Sequence, residues 1–123
     1  MSWIFAICTP KLEQHYYNFE FPTPPIYTVL IPGFYLAIGG IPETSFFENN
    51  LETSTGWAVV GTGIILNGSH ARIMTFEDWK NILKRNEFDA TEFDGHFAVL
   101  RWNQNNIECF IDQLGLRTAY FAN

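Results

Sequence analysis

Phe93-Asp94-Gly95-His96-Phe97-Ala98-Val99-Leu100-Arg101-Trp102 decides how this chain is read. Apolar residues occupy both alternating sets of positions, Phe97 and Val99 on one and Ala98, Leu100 and Trp102 on the other. Side chains of a strand point to opposite faces in turn, so such a strand is buried on both, as in a sheet held between two layers. A polar turn at residues 103–106 follows. Residues 107–112 then alternate in the same way, with Ile107, Cys109 and Ile111 opposed to Glu108, Phe110 and Asp112. Gln113-Leu114-Gly115-Leu116-Arg117-Thr118-Ala119-Tyr120-Phe121 adds a sharp turn at Gly115 and one more strand. The last third of the chain is therefore expected to be β.

Upstream of it stands one helix. Thr75 is placed to cap it, and the Asp78 carboxylate, three residues on, answers the cap and faces the positive end of the helix dipole. Met74 and Trp79 occupy the staple positions, Phe76, Trp79 and Leu83 share a face, and Asn86 is the expected terminator. Residues 56–66 read as a strand, and Asn67-Gly68 as a type I′ hairpin turn leading to a return strand at 70–74. Residues 39–55, punctuated by Gly39-Gly40, Pro42 and Asn49-Asn50, read as loop. Pro32-Gly33 separates two β-rich runs at 26–31 and 34–38. Residues 2–8 suit a buried N-terminal strand, and 9–25 an irregular excursion. The aromatics from Tyr16 to Tyr35, among them Tyr17, Phe19, Phe21 and Tyr27, serve either as a peptide-binding surface or as cover for the sheet. Many strands and one helix make a β-rich α+β domain.

The chain has 123 residues, enough for one domain with a modest core, and 47 % hydrophobic and 17 % aromatic residues, which argues against disorder. A net charge of −6 disfavours nucleic acid, whose phosphates need clustered Lys and Arg. No apolar run is long enough to span a bilayer, and no secretory signal opens the sequence. Cys8 and Cys109 are too few for a disulfide framework, so both are expected as reduced thiols in a cytoplasmic protein. His15, His70 and His96 lack ligand spacing, and no metal site is expected. Gly61-Thr62-Gly63 does not continue into a phosphate-binding pattern; glycine there marks a bulge or a close backbone approach. His96 beside Asp94 reads as a strand-start histidine after a turn.

The pattern Asp94-Gly95-x-Phe97-Ala98 followed by Asp112-x-x-Gly115-x-x-x-x-Tyr120 resembles the glutamine amidotransferase domain at the N-terminus of asparagine synthetases. The wording of residues 112–117 and of Gly56-Trp57-Ala58-Val59-Val60-Gly61 is most similar to asparagine-synthetase-like proteins of bacterial peptide-modification clusters, the lasso-peptide cyclases among them. The resemblance implies an N-terminal-nucleophile hydrolase sandwich, two β-sheets between helical layers, here reduced to few helices. It implies one domain over residues 1–123, truncated at its C-terminus. Asp94, Gly95, Phe97, Asp112, Gly115 and Tyr120 would build turns and strand ends and do no catalysis.

Active members of that family rest on groups that are changed here. The nucleophilic Cys after the initiator Met is Ser2. Serine serves as nucleophile in other N-terminal hydrolases, with its own α-amine as base once Met1 is removed. The arginine that clamps the glutamine carboxylate has no counterpart, since no Lys or Arg lies between Lys11 and Arg72, and a neutral side chain does not replace a bidentate guanidinium. The Asn-Gly pair of the oxyanion hole is Val60-Gly61, leaving the Gly61 N–H as the one possible donor; losing one such donor costs about a hundred- to a thousandfold in turnover. None of Glu87, Asp89 and Glu92 stands in the acidic motif that binds the substrate amine. Asn67-Gly68 has the right letters but sits in a hairpin.

The expectation is a degenerate amidotransferase-like domain, the non-catalytic scaffold or substrate-holding part of an ATP-dependent amide-forming synthetase. No cofactor belongs to this chain; ATP and Mg²⁺ would sit in the missing synthetase domain. The alternatives are an N-terminal serine amidase using Ser2, and a stand-alone peptide-binding or dimerising module that uses a free sheet edge. The expected partners are a synthetase domain or subunit, a peptide substrate, or a second copy of the chain.

Overall fold

The computed structural model describes residues 1–9, 19–87 and 92–112. Along them run β1 (Trp3–Cys8), β2 (Pro25–Ile31), β3 (Phe34–Gly39), a 3₁₀ turn (Pro42–Thr44), β4 (Ser45–Asn50), β5 (Thr55–Asn67), β6 (His70–Ile73), α1 (Phe76–Leu83), β7 (Phe93–Trp102) and β8 (Ile107–Ile111). The strands make two antiparallel sheets. One has three strands in the order β1-β3-β2; the other has five, in the order β4-β5-β7-β8 with β6 also paired to β5. The architecture is β-rich α+β, as the sequence implies.

The double alternation of β7 follows from its place in the middle layer. Phe93, Phe97 and Val99, with Trp57 and Val59 of β5, face α1 and meet Met74, Trp79, Ile82 and Leu83. Ala58, Val60, Leu100 and Trp102 face the small sheet and meet Val29, Phe34, Leu36 and Ile38. Burying both faces removes two sets of apolar side chains from water, at about 25 cal/mol per Å². Trp79 anchors the helix layer, its ring edge-on to Phe93 at 5.6 Å and to Phe97 at 5.1 Å. It lies against Gly63 of β5, where any Cβ would stand 2.5 Å from Trp79 Cζ2 and from Met74 Sδ.

The helix begins as its sequence dictates. The Asp78 N–H donates to Thr75 Oγ1 at 3.3 Å, and Asp78 Oδ2 accepts from the Thr75 N–H at 2.8 Å. Arg72 of β6 donates to both carboxylate oxygens. That guanidinium, with the Thr75 N–H and hydroxyl, holds the Asp78 carboxyl well below the usual range. At the other end, the Arg101 guanidinium donates to the carbonyls of Leu83 at 3.0 Å and Arg85 at 2.6 Å, and its Nε donates to Glu108 at 2.9 Å. A cation on β7 thus satisfies the carbonyl of the last residue of α1 and one just beyond the helix.

Four expectations are corrected. The supposed loop at 39–55 contains β4, because Phe46 packs toward α1 and Phe47 into the inter-sheet core. The ring of Phe47 stacks on Tyr27 at 3.7 Å. Pairing with β5 outweighs the poor strand propensity of Glu48, Asn49 and Asn50. The 67–70 hairpin turns on Gly68 (φ +62°) and Ser69, with Asn67 still paired to His70 inside the ladder. β1 is an edge strand of the small sheet with Ala6 and Cys8 exposed, rather than a buried one. β8 is exposed along most of its length, since only β7 of the described strands flanks it.

Candidate functional site

Ser2 is 3 % exposed, while Met1 before it is 91 % exposed. The Ser2 hydroxyl accepts from the Ile41 N–H at 3.1 Å and lies 3.3 Å from the Ile41 carbonyl as donor. It shares a hydrogen bond with Thr44 Oγ1 at 3.0 Å, and Ser45 Oγ stands 3.4 Å away. Ser45 itself donates to the Ile41 carbonyl at 2.8 Å. Thr44 Oγ1 lies 3.4 Å from the same carbonyl, so three hydroxyls converge on Ile41 at the entry to the 3₁₀ turn. Gly40 (φ +103°) permits the approach: a Cβ there would stand 2.5 Å from Ser2 Cα and would run into the Met1 carbonyl oxygen.

The register brings this cluster beside Gly61. β4 starts its pairing with Ser45 opposite Val60, and β6 ends its own with Ile73 opposite Ile64. Along that edge of β5, residues 61–63 face no strand among the described residues; the Met74 N–H closes one side of the gap by donating to the Gly63 carbonyl at 2.8 Å. Gly61 has φ +108°, a conformation that glycine tolerates and side chains rarely adopt, and on its other side it pairs with Phe97. Ser2 and Gly61, far apart in sequence, therefore sit at the same break in the sheet, joined through Ser45. Val60 turns into the inter-sheet core and offers no donor.

The motif residues divide. Asp112 is buried; its N–H donates to the Phe97 carbonyl and its Oδ1 accepts from the Phe97 N–H, both at 3.2 Å. It clasps β7 directly across from Gly61. Asp94 Oδ1 accepts from the Gly95 N–H at 2.8 Å, and Gly95 (φ +134°) pairs with Gly63. Gly115 and Tyr120 lie outside the described residues, as do His15, Tyr16, Tyr17 and Asp89.

Four ion pairs form elsewhere. Arg72 pairs with Asp78, Lys80 with Glu48 at 3.2 Å, Arg85 with Glu92 at 2.7 Å, and Arg101 with Glu108. Glu92 is thus part of a surface ion pair near the end of α1. Cys8 and Cys109 are free thiols, each pushed up in pKa by partial burial. Among the described residues no group of three His, Cys, Asp or Glu is arranged to hold a metal ion, and no helix is long and apolar enough to cross a membrane.

Two hollows share Trp102 in their lining, and the larger one reaches Cys8, at the opposite end of β1 from Ser2 and roughly 20 Å away along the strand. One, of about 530 Å³, runs from Cys8 and Pro32 to Trp102 and the amides of residues 103–106; the other, of about 200 Å³, lies between Glu48, Gly56, Lys84 and Trp102. Ser2 lines neither.

The chemistry open to Ser2 follows from its bonds. With Met1 in place its nitrogen is an amide and carries no basic lone pair, and its hydroxyl is committed as both acceptor and donor. The sequence singled out Ser2 and Gly61 but missed Ile41, Thr44 and Ser45, because a hydroxyl in a glycine- and proline-marked stretch has no distinguishing pattern. Comparison of the chain with protein-family models, with curated proteins and with solved structures found no match.

Proposed function

We propose that this chain is a degenerate glutamine amidotransferase-like domain, the non-catalytic scaffold or substrate-holding part of an ATP-dependent amide-forming synthetase that works in the cytoplasm. The observation that carries the reading is the situation of Ser2. The hydroxyl at the position after Met1 is buried and tied to Ile41 and Thr44 rather than presented to a pocket, which supports a structural and not a catalytic part for it. The stacked antiparallel sheets and the Asp112 clasp on Phe97 support the same reading. ATP and Mg²⁺ belong to the synthetase partner, and so does the activation of the carboxylate that becomes an amide.

The domain's part is to pack against that partner and present the substrate. The absence of any Lys or Arg between Lys11 and Arg72 supports the loss of glutamine binding, since a free carboxylate is held by charge-assisted bonds. The test is ammonia release from glutamine by protein whose intact mass proves that Met1 is gone. No release above a Ser2→Ala control is expected. Release that Ser2→Ala abolishes would establish instead a working N-terminal serine amidase.

A further inference from the structure

The outer face of the small sheet, away from Ser2, carries an aromatic platform. Ile4, Phe34 and Leu36 point into the inter-sheet core, so by alternation Trp3, Phe5 and Tyr35 point outward. Residues 19–24, which form no strand, lie across them. Phe21 stacks on Trp3 at 4.8 Å and meets Phe5 edge-on at 5.5 Å. Phe19 lies 4.9 Å from Phe5 and stacks on Tyr35 at 5.2 Å. The Trp3 indole N–H donates to Thr23 Oγ1 at 3.0 Å, while Glu20 and Pro22, between the anchors, are exposed.

This is how an extended peptide is read: alternate side chains enter an aromatic surface, a polar tip fixes the register, and proline keeps the segment stretched. The apolar face also continues past the strap. Leu30 of β2, paired with Tyr35 and so on the same side, is 38 % exposed.

We propose that this face is a peptide-binding site for an extended aromatic-x-aromatic-Pro segment of a partner protein, and that residues 19–24 are its built-in occupant. The chain's own Phe19-Glu20-Phe21-Pro22 supplies the ligand chemistry. A tethered occupant competes at an effective concentration in the millimolar range, so the site is masked until the strap is displaced. The proposal is independent of the amidotransferase reading, and its test touches neither Ser2 nor glutamine.

The probe is a fluorescein-labelled peptide with the sequence of residues 19–25, titrated by anisotropy into the full chain. The Phe19→Ala/Phe21→Ala variant is expected to bind it at least tenfold more tightly than the unaltered protein. Adding Trp3→Ala should abolish that gain, and a peptide with both phenylalanines replaced by alanine should not bind. A folded double variant with no gain in affinity overturns the proposal, as does a gain that survives Trp3→Ala. If the alanine variant does not fold, Phe19→Leu/Phe21→Leu keeps apolar cover without stacked rings and carries the same comparison. The unaltered protein gives a further reading: millimolar peptide must shift the Trp3 indole N–H resonance, and no shift overturns the site.

Discussion

Replacing Ser2 by alanine separates a structural hydroxyl from a catalytic one by the sign of its effect. The change removes the acceptor for the Ile41 N–H and the partner of Thr44 Oγ1. A neutral hydrogen bond is worth about 1 kcal/mol net, and a donor stranded out of water costs about 1–3 kcal/mol. Ile41 is half-exposed, so water recovers part of the loss, and Ser45 still reaches the Ile41 carbonyl. The expected destabilisation is about 1.5 kcal/mol, which in a domain of this size is a fall in Tm of roughly 5–9 °C. A residue kept for chemistry behaves differently: its removal is commonly neutral or stabilising, because active sites trade stability for function. Urea and thermal melts followed by tryptophan fluorescence measure the difference. A double-mutant cycle with Thr44→Val should return a coupling of at least ~0.5 kcal/mol. A Ser2→Ala protein as stable as its parent, or more so, would refute the structural role.

Two further outcomes concern the frame that holds the site. Asp78→Asn should cost about 0.5–1 kcal/mol at neutral pH through the lost carboxylate charge at the helix N-terminus, the amide oxygen still accepting from Thr75 and the exposed Arg72 half of the interaction adding little. The Asp78 pKa is lowered on folding, so its contribution is fully present above the unfolded value of about 3.9 and is lost as pH falls through the folded one; melts at pH 7 and pH 2.5 should show the gap between the two proteins narrowing in acid. Gly63→Ala should cost about 1–3 kcal/mol, because the new methyl meets Trp79 and Met74; chemical denaturation with an unchanged m-value checks it.

The sequence was most legible where one residue's role is local or periodic. β7 declared its middle-layer position through two apolar sets, and α1 through Thr75 and Asp78, whose capping is settled within four residues. What it hid depends on partners distant along the chain. Asn49 and Asn50 belong to a strand only because β5 pairs with them. The role of Arg101 depends on the chain after α1, whose carbonyls at Leu83 and Arg85 accept from it. The Ser2 cluster joins residues about forty positions apart, and nothing in Ile41, Thr44 or Ser45 marks them beforehand. The Gly61 break is legible as a glycine, but its position beside Ser2 comes only from the offset between β4 and β6 on one edge of β5.

The most direct measurement is intact-mass spectrometry of Met1-free protein after incubation with a glutamine analogue whose side-chain amide is replaced by a diazoketone. Such a reagent alkylates a nucleophile that binds glutamine beside it. The account predicts unmodified protein at millimolar reagent. An adduct mapped to Ser2, and prevented by excess glutamine, would contradict it.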